Sequence, residues 1–175
     1  MLNHDEILQR IKKEKLVEEY VDLENQLQPS SFDLTLEKVY SFESRGSIDF
    51  DNRERKLSQA NELKFDSEGW VNLSRGAYKI QIAEIVNMPK DLGAITICRS
   101  SLSRCGCDVY NGFWDPGYSG RGEAVFIVHN EKGVRLKRRA KVVQILFFPI
   151  AEATQLYKGI HKGENLKSGK KQAKR

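Results

Sequence analysis

The chain has 175 residues, 39% of them hydrophobic and 30% charged, which is enough for one domain with a proper core and too few for two of ordinary size. No apolar run approaches the ~20 residues that a membrane helix needs. The formal net charge is +5, but residues 158–175 hold seven Lys/Arg against one Glu, so residues 1–157 are close to neutral and nucleic acid is not the expected partner.

Taken in chain order, the sequence starts with MLNHDEILQRIKKEK, which has no apolar h-region and so does not read as a secretory signal. It reads as a helix over His4–Lys13: Asn3 and Glu6 have capping-box spacing, and Ile7, Leu8 and Ile11 share a face. After it the period changes to two. Phe32, Leu34 and Leu36 alternate with Ser31, Asp33 and Thr35, which sends the carboxylate of Asp33 away from the core, towards solvent or a subunit boundary. Further short strands are expected at Tyr78–Ile82, Ile95–Cys98, Ala124–Val128 and Val142–Phe148, with turns at Gly46, Gly69, Gly76, Gly93, Gly112, Gly117 and Gly133. Strands and turns recurring at this rate indicate an all-β domain, an antiparallel sandwich, jelly roll or small barrel, over residues 1–157. A mobile basic tail is expected from 158 to 175. The three cysteines, Cys98, Cys105 and Cys107, are odd in number and fit a reducing cytoplasm better than a disulfide framework, and their spacing does not suit zinc.

The densest chemistry lies between Arg99 and Gly120, RSSLSRCGCDVYNGFWDPGYSG. Arg99 and Arg104 offer forked donors to phosphate oxygens, Ser100 and Ser101 add short hydroxyl donors, and Asp115 and Tyr118 share a Gly/Pro turn. That mixture suits a phosphate chain joined to a ring. The bland alternatives are a surface ion pair for the arginines and an ordinary turn role for Asp115.

Four motifs in this order, PSSFDL (29–34), RSSLSRCG (99–106), GFWDPGYSG (112–120) and KVVQILFF (141–148), resemble the dUTPase and dCTP deaminase superfamily, and most of all the archaeal-type dUTPases. The resemblance implies a jelly-roll-like distorted β-barrel, a homotrimer with active sites between subunits, and Mg2+-dependent hydrolysis of dUTP to dUMP and pyrophosphate. It implies that Asp115 orients the attacking water and that Tyr118 packs on the deoxyribose. The base would enter the hairpin that carries Gly112 and Trp114, and Arg99, Ser100, Ser101, Arg104 and Gln144 would hold the phosphates. Asp33 is implied as an outer-shell partner of the magnesium, through water. The chain departs from the family pattern in having Val109 where an asparagine is usual, with Asn111 nearby. Arg139 and Lys141 precede Gln144 in place of a Gly and an Arg, and YKGIHKGEN (157–165) replaces a Phe-containing arm. Deamination of dCTP, alone or in a bifunctional deaminase and dUTPase, is the neighbouring alternative. It calls for a glutamate at the position of Ile127, and the nearby acids are Glu123 and Glu131. A non-catalytic nucleotide-binding or nucleic-acid-binding β domain is the alternative from another class.

Overall fold

In the computed structural model, which describes residues 1–166, helix α1 spans His4–Glu14, one residue beyond the expected end. The Glu6 N–H donates to Asn3 Oδ1 at 3.0 Å and the Asn3 N–H donates to Glu6 Oε2 at 2.8 Å. This reciprocal cap satisfies two donors that a helix start leaves orphaned. Ile7 and Ile11 face the core, and Lys15, in the left-handed region at φ 56°, ends the helix.

Short strands and two small helices follow: β1 (Val17–Glu18), α2 (Leu23–Gln26), β2 (Phe32–Phe42), β3 (Ala60–Leu63), β4 (Trp70–Leu73), β5 (Gly76–Ile82), β6 (Ile85–Asn87), β7 (Leu92–Cys98), α3 (Ser100–Arg104), β8 (Cys107–Tyr110), β9 (Ser119–Gly120), β10 (Glu123–Val128), β11 (Val134–Lys137) and β12 (Lys141–Pro149). Seven of the strands form one antiparallel sheet in the order β7-β12-β2-β5-β10-β8, with β3 on the far end of β2. Its two edges meet. Ala94 of β7 and Trp114, just past β8, exchange backbone hydrogen bonds of 2.9 and 3.2 Å, and the Thr96 hydroxyl reaches the Asn111 side chain. The sheet therefore nearly closes on itself, which covers edges that would otherwise invite pairing with another chain. Phe32, Phe126, Phe147, Ile80 and Ile145 are fully or almost fully buried inside it. Sheets β1-β6-β9 and β4-β11 flank the barrel.

The all-β expectation is met, and two local expectations are corrected. Gly93 lies inside β7, paired with Phe148, not in a turn. A Cβ there would sit 2.4 Å from the Phe113 ring, so the glycine makes room for an aromatic. Asp33 does lie on the face of β2 opposite Phe32 and Leu34, but it meets neither solvent nor a free boundary: it is 0% exposed. The short helix α2 and the side chains of Arg99 and Lys141 roof it over, so the first five residues of β2 are buried on both faces. Among the described residues, no helix is long and apolar enough to cross a membrane.

Residues 158–165, expected at the start of a free tail, run back along the body together with Tyr157 before them. Tyr157 N–H donates to Pro116 O at 2.8 Å, Gly163 N–H to Ser119 O at 2.7 Å, and Arg121 N–H to Glu164 O at 3.1 Å. The basic end of the expected tail, 167–175, lies outside the described residues.

Candidate active site

The sequence-predicted residues fall into two groups. Gly112, Trp114, Asp115 and Tyr118 line one cleft of about 300 Å3. Its floor is built by a turn, Asp115-Pro116-Gly117-Tyr118, closed by a hydrogen bond from Tyr118 N–H to Asp115 O at 3.1 Å. Pro116 presets the second position and Gly117, at φ 82°, takes the third, the combination a type II turn requires. The turn leaves the Asp115 carboxylate exposed, without a hydrogen-bond or ion-pair partner among the described residues.

Trp114 packs edge-on against Tyr118, with centroids 5.2 Å apart. Gly122 lets the indole this close, because a Cβ at that position would lie 2.4 Å from the far carbon of the indole ring. Since Trp114 is only 5% exposed and cannot swing clear, Gly122→Ala is expected to destabilise the fold by about 1–3 kcal/mol through overpacking, read from chemical denaturation. An unchanged midpoint would show that the indole yields freely.

The same cleft holds residues that the sequence did not assign to it. Tyr118 is 7% exposed, and its hydroxyl donates to Glu164 Oε1 at 2.8 Å. Burial, helped by the neighbouring Glu164 carboxylate, raises the pKa of the phenol and keeps it protonated. Tyr157 adds a second edge-on ring, 6.0 Å from that of Tyr118. Glu123 also lines the cleft, but both of its oxygens are engaged, one by Lys79 Nζ at 2.9 Å and the other by Asn165 Nδ2 at 3.3 Å. Only the GFWDPGYSG stretch (112–120) carried a local signal for this cleft; Tyr157, His161 and Glu164 reach it through a chain reversal that no short-range pattern announces.

The second group gathers where β2, β12 and β7 lie side by side, in the register Asp33↔Gln144↔Ile97. Asp33 Oδ2 is 3.2 Å from an Arg99 guanidinium nitrogen and 3.2 Å from Lys141 Nζ. Arg99 precedes α3, whose buried Leu102 pins the helix to the core while Ser100, Ser101 and Arg104 stay exposed. Gln144 is half-buried and donates to Ser31 Oγ at 3.3 Å. Of the two cations expected before Gln144, Lys141 joins this cradle, whereas Arg139 is drawn off to Glu37 at 3.0 Å.

This arrangement does not fit Asp33 as a holder of hydrated magnesium. A water-mediated partner needs accessible oxygen, and the Asp33 carboxylate has none and already faces two cations. Among the described residues no group of three or more His, Cys, Asp or Glu side chains is placed to bind a metal. In this structure Asp33 faces Arg99 and Lys141 instead.

The two groups are far apart in one copy of the chain. Trp114 is bridged to Ala94, and Arg99 follows five residues later, just past the end of β7, roughly 16 Å away at the usual strand rise.

Comparison with known proteins agrees with this architecture. A family model described as dCTP deaminase-like matches residues 1–150. A protein of Archaeoglobus fulgidus named probable deoxyuridine 5'-triphosphate nucleotidohydrolase is 43% identical over 168 residues, 96% of this chain and 99% of that protein. A deoxyuridine 5'-triphosphate nucleotidohydrolase of Methanocaldococcus jannaschii is 35% identical over 142 residues, 80% of this chain and 89% of its own length. Among solved structures, a 2'-deoxycytidine 5'-triphosphate deaminase from Agrobacterium tumefaciens superposes with a TM-score of 0.64 at 20% identity. It covers 83% of this chain, while this chain spans 47% of that structure's length. That likeness concerns the fold. With a family model matching residues 1–150 and relatives 35 to 43% identical over 80 to 96% of its length, the chain belongs to the dCTP deaminase-like family.

Proposed function

We propose that this chain hydrolyses dUTP to dUMP and pyrophosphate at sites shared between copies of the chain. The observation that carries the reading is the split just described: a free carboxylate beside an aromatic cleft near the start of β7, and a cationic cradle just past the end of the same strand. Placed against each other from two copies, the cleft would take the base and sugar and the cradle the phosphates. Relatives that match 80 to 96% of the chain and bear the name of this activity support the assignment.

In this reading Asp115 accepts a hydrogen bond from a water and aims its oxygen at the α-phosphorus. A bond forms from that oxygen to phosphorus as Asp115 takes the proton the water loses, the bond to the bridging oxygen breaks, pyrophosphate leaves with the electron pair, and Asp115 then returns its proton to solvent. Arg99, Arg104, Ser100, Ser101 and Gln144 hold the phosphate oxygens, so the protein supplies placement and charge neutralisation more than covalent chemistry. Tyr118 closes the sugar side of the cleft against a 2'-hydroxyl. A Mg2+ ion would be brought in with the triphosphate and would neutralise phosphate charge, needing few ligands from the protein because a hard cation prefers phosphate and water oxygens. Deamination of dCTP is disfavoured because Glu123, the acid nearest the cleft from β10, has both oxygens tied and is not free to carry a proton. The deciding assay follows pyrophosphate and ammonia separately with dUTP, dCTP, dTTP and UTP. Pyrophosphate from dUTP alone is expected, and ammonia from dCTP would overturn the assignment.

A homotrimer fits the outer face of the β7-β12 pair, where Ile95 and Ile97 are 40 and 44% exposed beside Leu146 and Gln144. An apolar stripe of this kind next to half a site belongs at a subunit contact. Ile97→Lys is expected to shift the solution mass towards monomer and to lower dUTP hydrolysis at least about tenfold, the effect of some 1.4 kcal/mol at the contact. A monomeric variant that keeps full activity would remove the shared site.

A further inference from the structure

Strand β2 changes neighbours along its length. β12 pairs with it through Phe32–Thr35 and β5 through Leu36–Ser41, so at residues 33–35 the side that β5 serves further along has no strand beside it. Two buried side chains fill the gap. Glu84, in the bend after β5, accepts from Thr35 N–H at 2.8 Å and from Thr35 Oγ1 at 2.6 Å. Gln26, at the end of α2, donates through Nε2 to Asp33 O at 2.8 Å and to Glu84 Oε1 at 2.8 Å. The Gln26 Oε1 accepts from Val21 and Asp22 N–H, which ties the roofing segment to the same network. Glu84 is 0% and Gln26 2% exposed.

Resting on the proposed function, we propose that Glu84 is a positioning residue for the phosphate cradle, acting with Gln26 as a substitute strand neighbour that fixes the Asp33–Thr35 segment and, through Asp33, the directions of Arg99 and Lys141. A carboxylate is an expensive group to bury, and burial does push the Glu84 carboxyl above the ordinary range while its bonds to Thr35 and Gln26 oppose the shift. An apolar residue would pack the bend equally well. It would leave the Thr35 N–H unpaired and release the backbone that carries Asp33. The acceptor is therefore needed at one particular strand position, two residues from the acid that faces both cations.

The test uses inorganic tripolyphosphate as the probe, so that it reads the cradle without base, sugar or turnover. Glu84→Gln places an amide donor against the Thr35 donors, and Thr35→Val removes the hydroxyl while keeping its shape. Both are expected to weaken tripolyphosphate binding about tenfold or more, measured by calorimetry well below the unfolding midpoint, and to raise KM for dUTP more than they lower kcat. Thr35→Ser is expected to restore binding. Should Glu84→Gln fail to fold, the Val and Ser pair at position 35 decides alone. Lower midpoints with unchanged tripolyphosphate affinity would reduce Glu84 to a structural brace and overturn the proposal. Normal cradle behaviour in a wild-type protein that releases no pyrophosphate from dUTP would overturn the proposed function instead.

Discussion

Asp115→Asn is expected to lower kcat for dUTP by about 100- to 10,000-fold, the range that loss of a positioned acid–base group produces, while KM moves by no more than a few fold. The side chain is exposed and makes no ion pair or hydrogen bond among the described residues, so its replacement should change stability by only about 0.5 kcal/mol or less. Its neighbours are held by other means. The backbone turn is closed through the Asp115 carbonyl, the indole of Trp114 through Gly122, and the phenol of Tyr118 through Glu164. What the amide loses is the negative charge facing a water that must become more acidic as it attacks. Saturating turnover followed by pyrophosphate release, with calorimetric binding of dUTP to the inactive variant, separates the two effects. Near-normal turnover would take Asp115 out of the reaction.

The cleft half of this site was largely legible in the sequence because its determinants are local. Pro116 and Gly117 specify the turn, and Trp114, Asp115 and Tyr118 are carried on or beside it. Helix α1 was legible for the same reason, since a capping box and a single apolar face operate within one turn. The cradle half is less legible, because its geometry depends on contacts between distant strands. Alternation along β2 turned Asp33 away from Phe32 and Leu34, as observed, but periodicity reports a face and not what covers it. The cover comes from α2, close by in sequence, and from Arg99 and Lys141, brought in by pairings between strands more than forty residues apart. Glu84 and Gln26 left no mark for a related reason. A Glu after an apolar strand reads as an exposed turn residue until the end of β5 and the path of β2 are known. Gly93 misled because a glycine that admits a ring inside a strand looks the same, in sequence, as one that admits a turn.

The larger stability effect is expected at Arg99. Arg99→Met leaves Asp33 with Lys141 as its one remaining cation, and stripping a partner from a fully buried carboxylate costs about 3–5 kcal/mol when nothing replaces it. With Lys141 still 3.2 Å away, the lower end of that range applies. Affinity for dUTP should fall independently, because a charge-assisted contact to phosphate is worth about 1.5–3 kcal/mol, so KM should rise at least about tenfold. Removing both charges separates the two losses. In Arg99→Met/Asp33→Asn the buried pair is gone as a unit, which is close to neutral for folding, so the unfolding midpoint should recover most of the deficit while KM stays high. The coupling between the two sites should lie within about 0.5–3 kcal/mol, as for residues in direct contact. If the double variant regains affinity along with stability, Arg99 contributes to binding only by keeping the fold intact. If Arg99→Met alone costs no stability, the buried contact between Asp33 and Arg99 does not hold in solution, and the cradle must be oriented from Lys141 and α3 instead.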